Sequence, residues 1–210
     1  MSQLKCDFRV VGPVQTNCYF LSDMNGNCVV VDPGEEAARI IDYIEKKDLK
    51  PVEILLTHGH FDHIGAVDEV REKYGIKVYA AAAEKETLQN TDINLSSQFG
   101  AGFTVEADEY LNDGQEIELL GEKVRCILTP GHTKGGMCYY FTNSGMLFSG
   151  DTLFQQSVGR TDFPGGSMSE IVRSIREKLF ILPDYVRVYT GHGMMTTIKD
   201  EKMLNPFAVE

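Results

Sequence analysis

The segment Thr57-His58-Gly59-His60-Phe61-Asp62-His63 places four metal-ligand side chains within six residues. Three more follow: His132 in Thr129-Pro130-Gly131-His132-Thr133, Asp151 in Ser149-Gly150-Asp151-Thr152, and His192 in Gly191-His192-Gly193. Together they take up all five histidines of the chain. Five imidazoles and two carboxylates suffice for two metal ions. Zinc fits these ligand types, and iron and manganese accept the same mixture. In extended chain, His58 and His60 point the same way and reach one ion. Asp62 and His63 come as the chain turns into a helix and face a second position. Gly59 leaves room for close approach of the backbone.

These residues need a rigid frame, and short apolar runs supply it. Strands are expected at Phe8 to Val11, Cys18 to Ser22 and Cys28 to Asp32, with turn chemistry at Asp23-Met24-Asn25-Gly26-Asn27. Ala37, Ile40, Ile41, Ile44 and Leu49 have helical spacing over Glu35 to Leu49, with acids in the first turn. Val52 to Leu56 reads as the buried strand that delivers the chain to His58. Ile64, Val67, Val70 and Tyr74 mark a second helix, closed by Gly75 and followed by a strand at Ile76 to Ala80. From Glu84 to Asp108 a short helix and a long loop are expected, either substrate-facing or plain surface.

Strands return at Gln115 to Leu120, Lys123 to Thr129, Met137 to Thr142, Met146 to Ser149 and Tyr185 to Tyr189. A tight turn at Gly121-Glu122 joins the first two of these. Ser167-x-x-Glu170 is a capping box for a helix through Ile171, Ile175 and Leu179. A final helix is expected after Thr197, ended by Pro206. Two β-rich halves with helices on their outer faces give an α/β layered sandwich. Every candidate ligand then follows a strand, on loops at one edge.

The 210 residues are read as one domain, 1–210, because candidates from His58 to His192 must converge. A net charge of −11 argues against nucleic acid and anionic membrane surfaces as partners, and the partner expected is a small-molecule substrate. Oligomeric state is left open. No stretch has the apolar length of a membrane span, and Met1 to Asp7 has no signal-peptide character. Cys6, Cys18, Cys28, Cys126 and Cys138 form no C-x-x-C pair and read as reduced, mostly buried thiols. A cytoplasmic location is expected.

Thr57 to His63, Thr129 to Thr133, Gly150-Asp151 and Gly191-His192-Gly193 together resemble the metallo-β-lactamase fold superfamily, in its order and over nearly the whole chain. The resemblance implies a four-layer αββα sandwich, two mixed β-sheets with helices on the outer faces. It implies His58, His60 and His132 on one metal, Asp62, His63 and His192 on a second, and Asp151 bridging. A metal-bridging hydroxide would then attack a carbonyl, with Asp62 or a bound water relaying a proton.

Asp151 at the bridging position departs from the zinc β-lactamases, and His60 departs from flavodiiron-type proteins, which carry Glu there. Gly150 to Phe154, Gly159 to Gly166 and Asn205-Pro206-Phe207 look like the small glyoxalase II-like hydrolases. That branch implies thioester or related ester hydrolysis. Full glyoxalase II enzymes carry a helical domain after the last histidine; here only Gly193 to Glu210 follow, so that domain is expected to be absent. Glutathione thioesters are therefore not assumed. Arg160 is a candidate substrate anchor or support, with an ion pair to Asp162 as the alternative. Lys134 is a second anion contact or a solvated charge. Phe154 and Tyr139 either line a pocket or pack the core. Asp32 either orients the histidine loop or caps its turn. Two rival readings stand beside hydrolysis: a mononuclear-iron persulfide dioxygenase using His58, His132 and Asp151, and a non-catalytic binding module.

Overall fold

The structure, a computed structural model, describes residues 4–207, so the start of the N-terminal stretch read above lies outside the described residues. The first half builds six strands: β1 (Lys5–Val11), β2 (Thr16–Ser22), β3 (Asn27–Val31), β4 (Lys50–Leu55), β5 (Lys77–Ala81) and β6 (Glu109–Leu111). They lie side by side in sequence order. Pairing is antiparallel from β1 to β3 and parallel from β3 to β6. The second half contributes β7 (Glu116–Leu119), β8 (Glu122–Leu128), β9 (Met137–Phe141), β10 (Met146–Gly150), β13 (Arg187–Thr190) and β14 (Thr196–Thr197). Their order is β14-β13-β10-β9-β8-β7, with the β10–β13 pair parallel. A small hairpin, β11 (Leu153–Phe154) and β12 (Ser157–Val158), stands apart.

Period-2 alternation assigns each strand's side chains to different layers. Cys18 and Phe20 of β2 face one way, with Ile40, Ile44, Val67 and Val70, into a core under the helices α1 (Ala37–Lys46) and α3 (Val67–Tyr74). Tyr19 and Leu21 face the other way, against Tyr139, Phe141 and Phe148 of the second sheet. Cys138, Tyr140 and Leu147 turn outward onto Ile171 of α5 (Met168–Ser174), Ile175 just after it and Ile198 of α6 (Ile198–Leu204). Three apolar layers separated by two sheets make the four-layer αββα sandwich. They also explain why the central strands read as unbroken apolar runs: both faces are buried.

Several local expectations shift. α1 begins at Ala37, and Glu36 sits before it at φ 56 with its carboxylate accepting from the Gly12 N–H. The helix expected from Ile64 onward is broken into α2 (Phe61–Ile64) and α3, because the Ala66 N–H donates to the Pro33 carbonyl instead. The Gly121 turn is centred on Leu120 and Gly121, both left-handed. Ser167 caps α5 through its hydroxyl, but its own N–H donates to Gly131 rather than to Glu170, so only half of the capping box forms. That helix widens into a π turn at Ile175–Leu179. The short helix expected after Glu84 forms as α4 (Lys85–Gln89), whereas strand β6 and the β11–β12 hairpin were not anticipated. No helix among the described residues is long and apolar enough to cross a membrane.

Candidate metal centre

Four strand ends deliver the chemistry. The loop after β4 and the short α2 carry His58, His60, Asp62 and His63. The loops after β8, β10 and β13 carry His132, Asp151 and His192. The two sheets are stitched together at this end. Tyr139 donates its hydroxyl to the Leu56 carbonyl at 2.8 Å, Tyr19 to that of Thr190 at 2.7 Å, and the Asn17 N–H to that of Gly191 at 2.7 Å.

All seven candidate ligands converge. Three sets place their ligand atoms within 4.8 Å of one another: His58, His60 and His132; His58, His63 and Asp151; and Asp62, His63 and His192. His60 Nδ1 and His132 Nε2 face each other at 2.9 Å, and His63 Nε2 and His192 Nε2 at 3.3 Å. Asp151 lies between the two clusters. Its Oδ1 is 3.4 Å from His63 Nε2, and its Oδ2 is 3.5 Å from both His132 Nε2 and His192 Nε2. His58 Nε2 and Asp151 Oδ1 are buried with no hydrogen-bond partner. Buried polar atoms without partners are rare, and crowded lone pairs of this kind suit a cation between them.

The surrounding groups fix the rings from outside. Asp32, 1% exposed, accepts from the Thr57 N–H (2.8 Å) and hydroxyl (2.6 Å), and lies 3.0 Å from His63 Nδ1. His132 Nδ1 lies 2.7 Å from the Arg160 carbonyl and His192 Nδ1 3.3 Å from that of Gln15. In each case Nε2 is left facing inward. Gly191 is required here: a Cβ would stand 2.1 Å from Asp151 Oδ1. Gly59 makes room for Leu88, whose side chain would lie 3.1 Å and backbone N 3.2 Å from a Cβ there.

The electrostatics divide the centre in two. Burial first, then the neighbouring rings, hold His58 well below the ordinary imidazole value and push His60 to about 3. Burial lowers His132 as well. Burial opposes charge on His63 too, but Asp62, Asp151 and Asp32 outweigh it and hold it well above that value. Burial likewise opposes charge on His192, and Asp151 and Asp62 raise it to about 9. Burial works against ionising Asp62, yet His63 and His192 bring it to about 2. The first cluster offers neutral nitrogens, the form a metal needs. The second holds positive charge where a cation would sit. A carboxylate ionised this readily suits ligation better than proton donation at neutral pH.

The centre opens into a cavity of about 590 Å³, also lined by Phe61, Leu95, Phe99, Phe154, Arg160 and Phe163. A larger hollow of about 970 Å³, lined among others by Lys5, Glu122 and Arg187, contains none of the seven. Arg160 reaches the cavity, but its guanidinium is held bidentately by Asp162 at 3.0 and 2.7 Å and lies over the Phe163 ring. Lys134 is exposed, 3.8 Å from Glu86. Phe154 borders His192, whereas Tyr139 is fully buried between the sheets.

Glu84 was missed. It is 1% exposed, accepts from the Gly59 N–H (3.3 Å) and the Thr133 hydroxyl (2.9 Å), and so ties the His58–His60 loop to the His132 loop. One glutamate after a run of alanines, Ala80 to Ala83, carries no spacing signal; only the tertiary fold supplies its donors. Burial raises its carboxyl to about 7. The folded chain therefore holds this proton where the unfolded chain, near 4.5, has lost it. Glu84's contribution to stability is full below about pH 4.5 and declines as pH rises through about 7. Urea unfolding across that window is expected to show wild type losing stability relative to Glu84→Gln as pH rises. A pH-independent difference between the two would contradict this.

The sequence model described as the metallo-beta-lactamase superfamily matches residues 11–192. The chain belongs to this superfamily. It is 43% identical over 199 residues to the probable metallo-hydrolase YqgX of Bacillus subtilis, covering 94% of each chain. It is 36% identical over 197 residues to hydroxyacylglutathione hydrolase GloC of Haemophilus influenzae, covering 92% of each. Among solved structures, BLEG-1 B3 metallo-beta-lactamase superposes with a TM-score of 0.94 at 39% identity, covering 98% of this chain and 100% of that one. TTHA1623 in a di-iron-bound form gives 0.85 at 33% identity, covering 96% and 99%. Metal ions are thus implied by both the family and the His/Asp clusters. BLEG-1 carries the name of the β-lactamase branch that the Asp151 argument had set aside.

Proposed function

We propose that this metallo-hydrolase superfamily member cleaves a thioester or related ester at a dinuclear centre. The observation that carries this reading is Asp151, which touches both imidazole clusters and leaves Oδ1 unpartnered between them. His58, His60 and His132 would hold one ion; Asp62, His63 and His192 the other; Asp151 would serve both. Two divalent ions in such a site supply a nucleophile near neutral pH and polarise the scissile carbonyl. The chain's own residues do the positioning. Asp32 and the Arg160 carbonyl fix the ring orientations, and Thr16 donates to Asp62 Oδ2 at 2.9 Å. Phe163 packs edge-on against His60 and limits water on that side. The similarity to GloC supports thioesters as substrates, and five free cysteines, four of them buried, support a reducing cytoplasm.

Elemental mass spectrometry on protein purified without added metal is expected to find about two ions per chain. The metal-loaded protein should hydrolyse members of a thioester panel faster than β-lactams. The di-iron neighbour makes iron the alternative to zinc. One iron per chain, with oxygen uptake on a persulfide and no hydrolysis, would move the assignment to the dioxygenase reading.

A further inference from the structure

The stretch from Asn90 to Gly102 has almost no regular structure, yet it is locked in place. Asn94, fully buried, accepts from the Ser96 N–H at 2.9 Å and donates its amide to the Phe103 carbonyl at 2.8 Å. Its own carbonyl accepts from the Phe61 N–H at 2.9 Å, immediately beside His60 and Asp62. The Ser96 hydroxyl is 2.9 Å from the Phe103 N–H and 3.0 Å from its carbonyl. Between these anchors Leu95 is held at φ 69. A bulky side chain in the left-handed region is strained and persists only where its surroundings impose it.

The result of this constraint is a surface. Leu95 and Phe99 line the same cavity as His132 and Asp151. Phe99 is 67% exposed, yet its ring stacks on Phe61 at 4.3 Å and 23°. The guanidinium that lines this cavity, Arg160, is paired with Asp162. A glutathione moiety brings two carboxylates and an ammonium, whereas Phe61, Leu95 and Phe99 offer them no charge and the polar side chain beside these three, Gln98, is uncharged. A flat or branched uncharged group matches it.

We propose that Phe61, Leu95 and Phe99 form an apolar shelf that binds an uncharged aryl or branched alkyl group of the substrate beside the reacting carbonyl. This rests on the hydrolase reading. The group belongs either to the acyl part or to the thiol part, and two substrate series separate these. One holds the acyl group as acetyl and varies the thiol among benzyl, ethyl and glutathione. The other holds the thiol as ethyl and compares phenylacetyl with acetyl.

In one series kcat/KM is expected to rise about tenfold for the aryl member. Phe99→Ala should reduce that ratio about fivefold or more, whereas Met24→Ala, exposed in the β2–β3 turn, should not. Equal ratios in both series, or a ratio unchanged in Phe99→Ala, overturn the shelf. Calorimetric titration of the metal-loaded protein with S-benzyl and S-methyl thioethers gives an answer without turnover. Tighter S-benzyl binding that weakens about fivefold in Phe99→Ala supports the shelf even if no thioester is cleaved, an outcome that would sink only the hydrolase reading. Equal binding of the two probes, or of the two proteins, overturns it.

Discussion

Asp151→Ala is expected to lower kcat/KM by about 10³-fold or more while leaving far-UV circular dichroism unchanged. The magnitude follows from the several kcal/mol that ion-based polarisation and nucleophile generation contribute, at 1.36 kcal/mol per tenfold in rate. Asp151 is the carboxylate that approaches His63, His132 and His192 together, so its loss separates the two halves of the centre. The backbone around it has independent support from the β10–β13 pairing and the Gly191 N–H bond to the Gly150 carbonyl at 2.8 Å. His60→Ala should act similarly, because His60 faces His132 at 2.9 Å within the first cluster. The paired measurement is ion content: both variants should retain fewer ions than wild type. Near-normal turnover in either one would sink the dinuclear mechanism.

Asp32→Ala is expected to cost about 3–5 kcal/mol in urea unfolding and to weaken ion retention. The carboxylate is buried and takes three contacts: the Thr57 N–H, the Thr57 hydroxyl and His63 Nδ1. Removing it leaves buried donors without acceptors, which costs more than the bonds were worth as a pair. It also frees His63 to rotate. Asp32→Asn keeps one carbonyl acceptor and should fall between the two. A loss below about 1 kcal/mol with full ion retention would show that Asp32 merely caps its turn.

The strands and the site residues were legible for different reasons. Runs such as Val29 to Val31 are apolar on both faces because each lies between two cores, and that pattern survives in sequence. The seven metal-centre candidates stood out by type and spacing; His58, His60, His132, Asp151 and His192 sit in loops past strand ends, and Asp62 and His63 on the short α2 that follows the β4 loop. β6 and the β11–β12 hairpin were not legible, since two or three residues carry no periodicity. The break between α2 and α3 depends on a carbonyl contributed by Pro33, from a distant turn. Glu84 and Leu95 share that character, because their roles come from donors and anchors elsewhere in the chain. Arg160 was recognised as a candidate, but its engagement with Asp162 is a matter of geometry that spacing left open.

The seven converging side chains come from two different sheets. His58, His60, Asp62 and His63 leave the first; His132, Asp151 and His192 leave the second. Neither half of the chain, made as a separate fragment, would carry more than part of the ligand set. Ions held by these residues would act as a rivet across the seam, and the complete set of side chains comes together only once the sheets have met. Metal retention would then be a reporter of sheet docking, and a substitution deep in the intersheet layer, far from any histidine, should first become visible as lost metal.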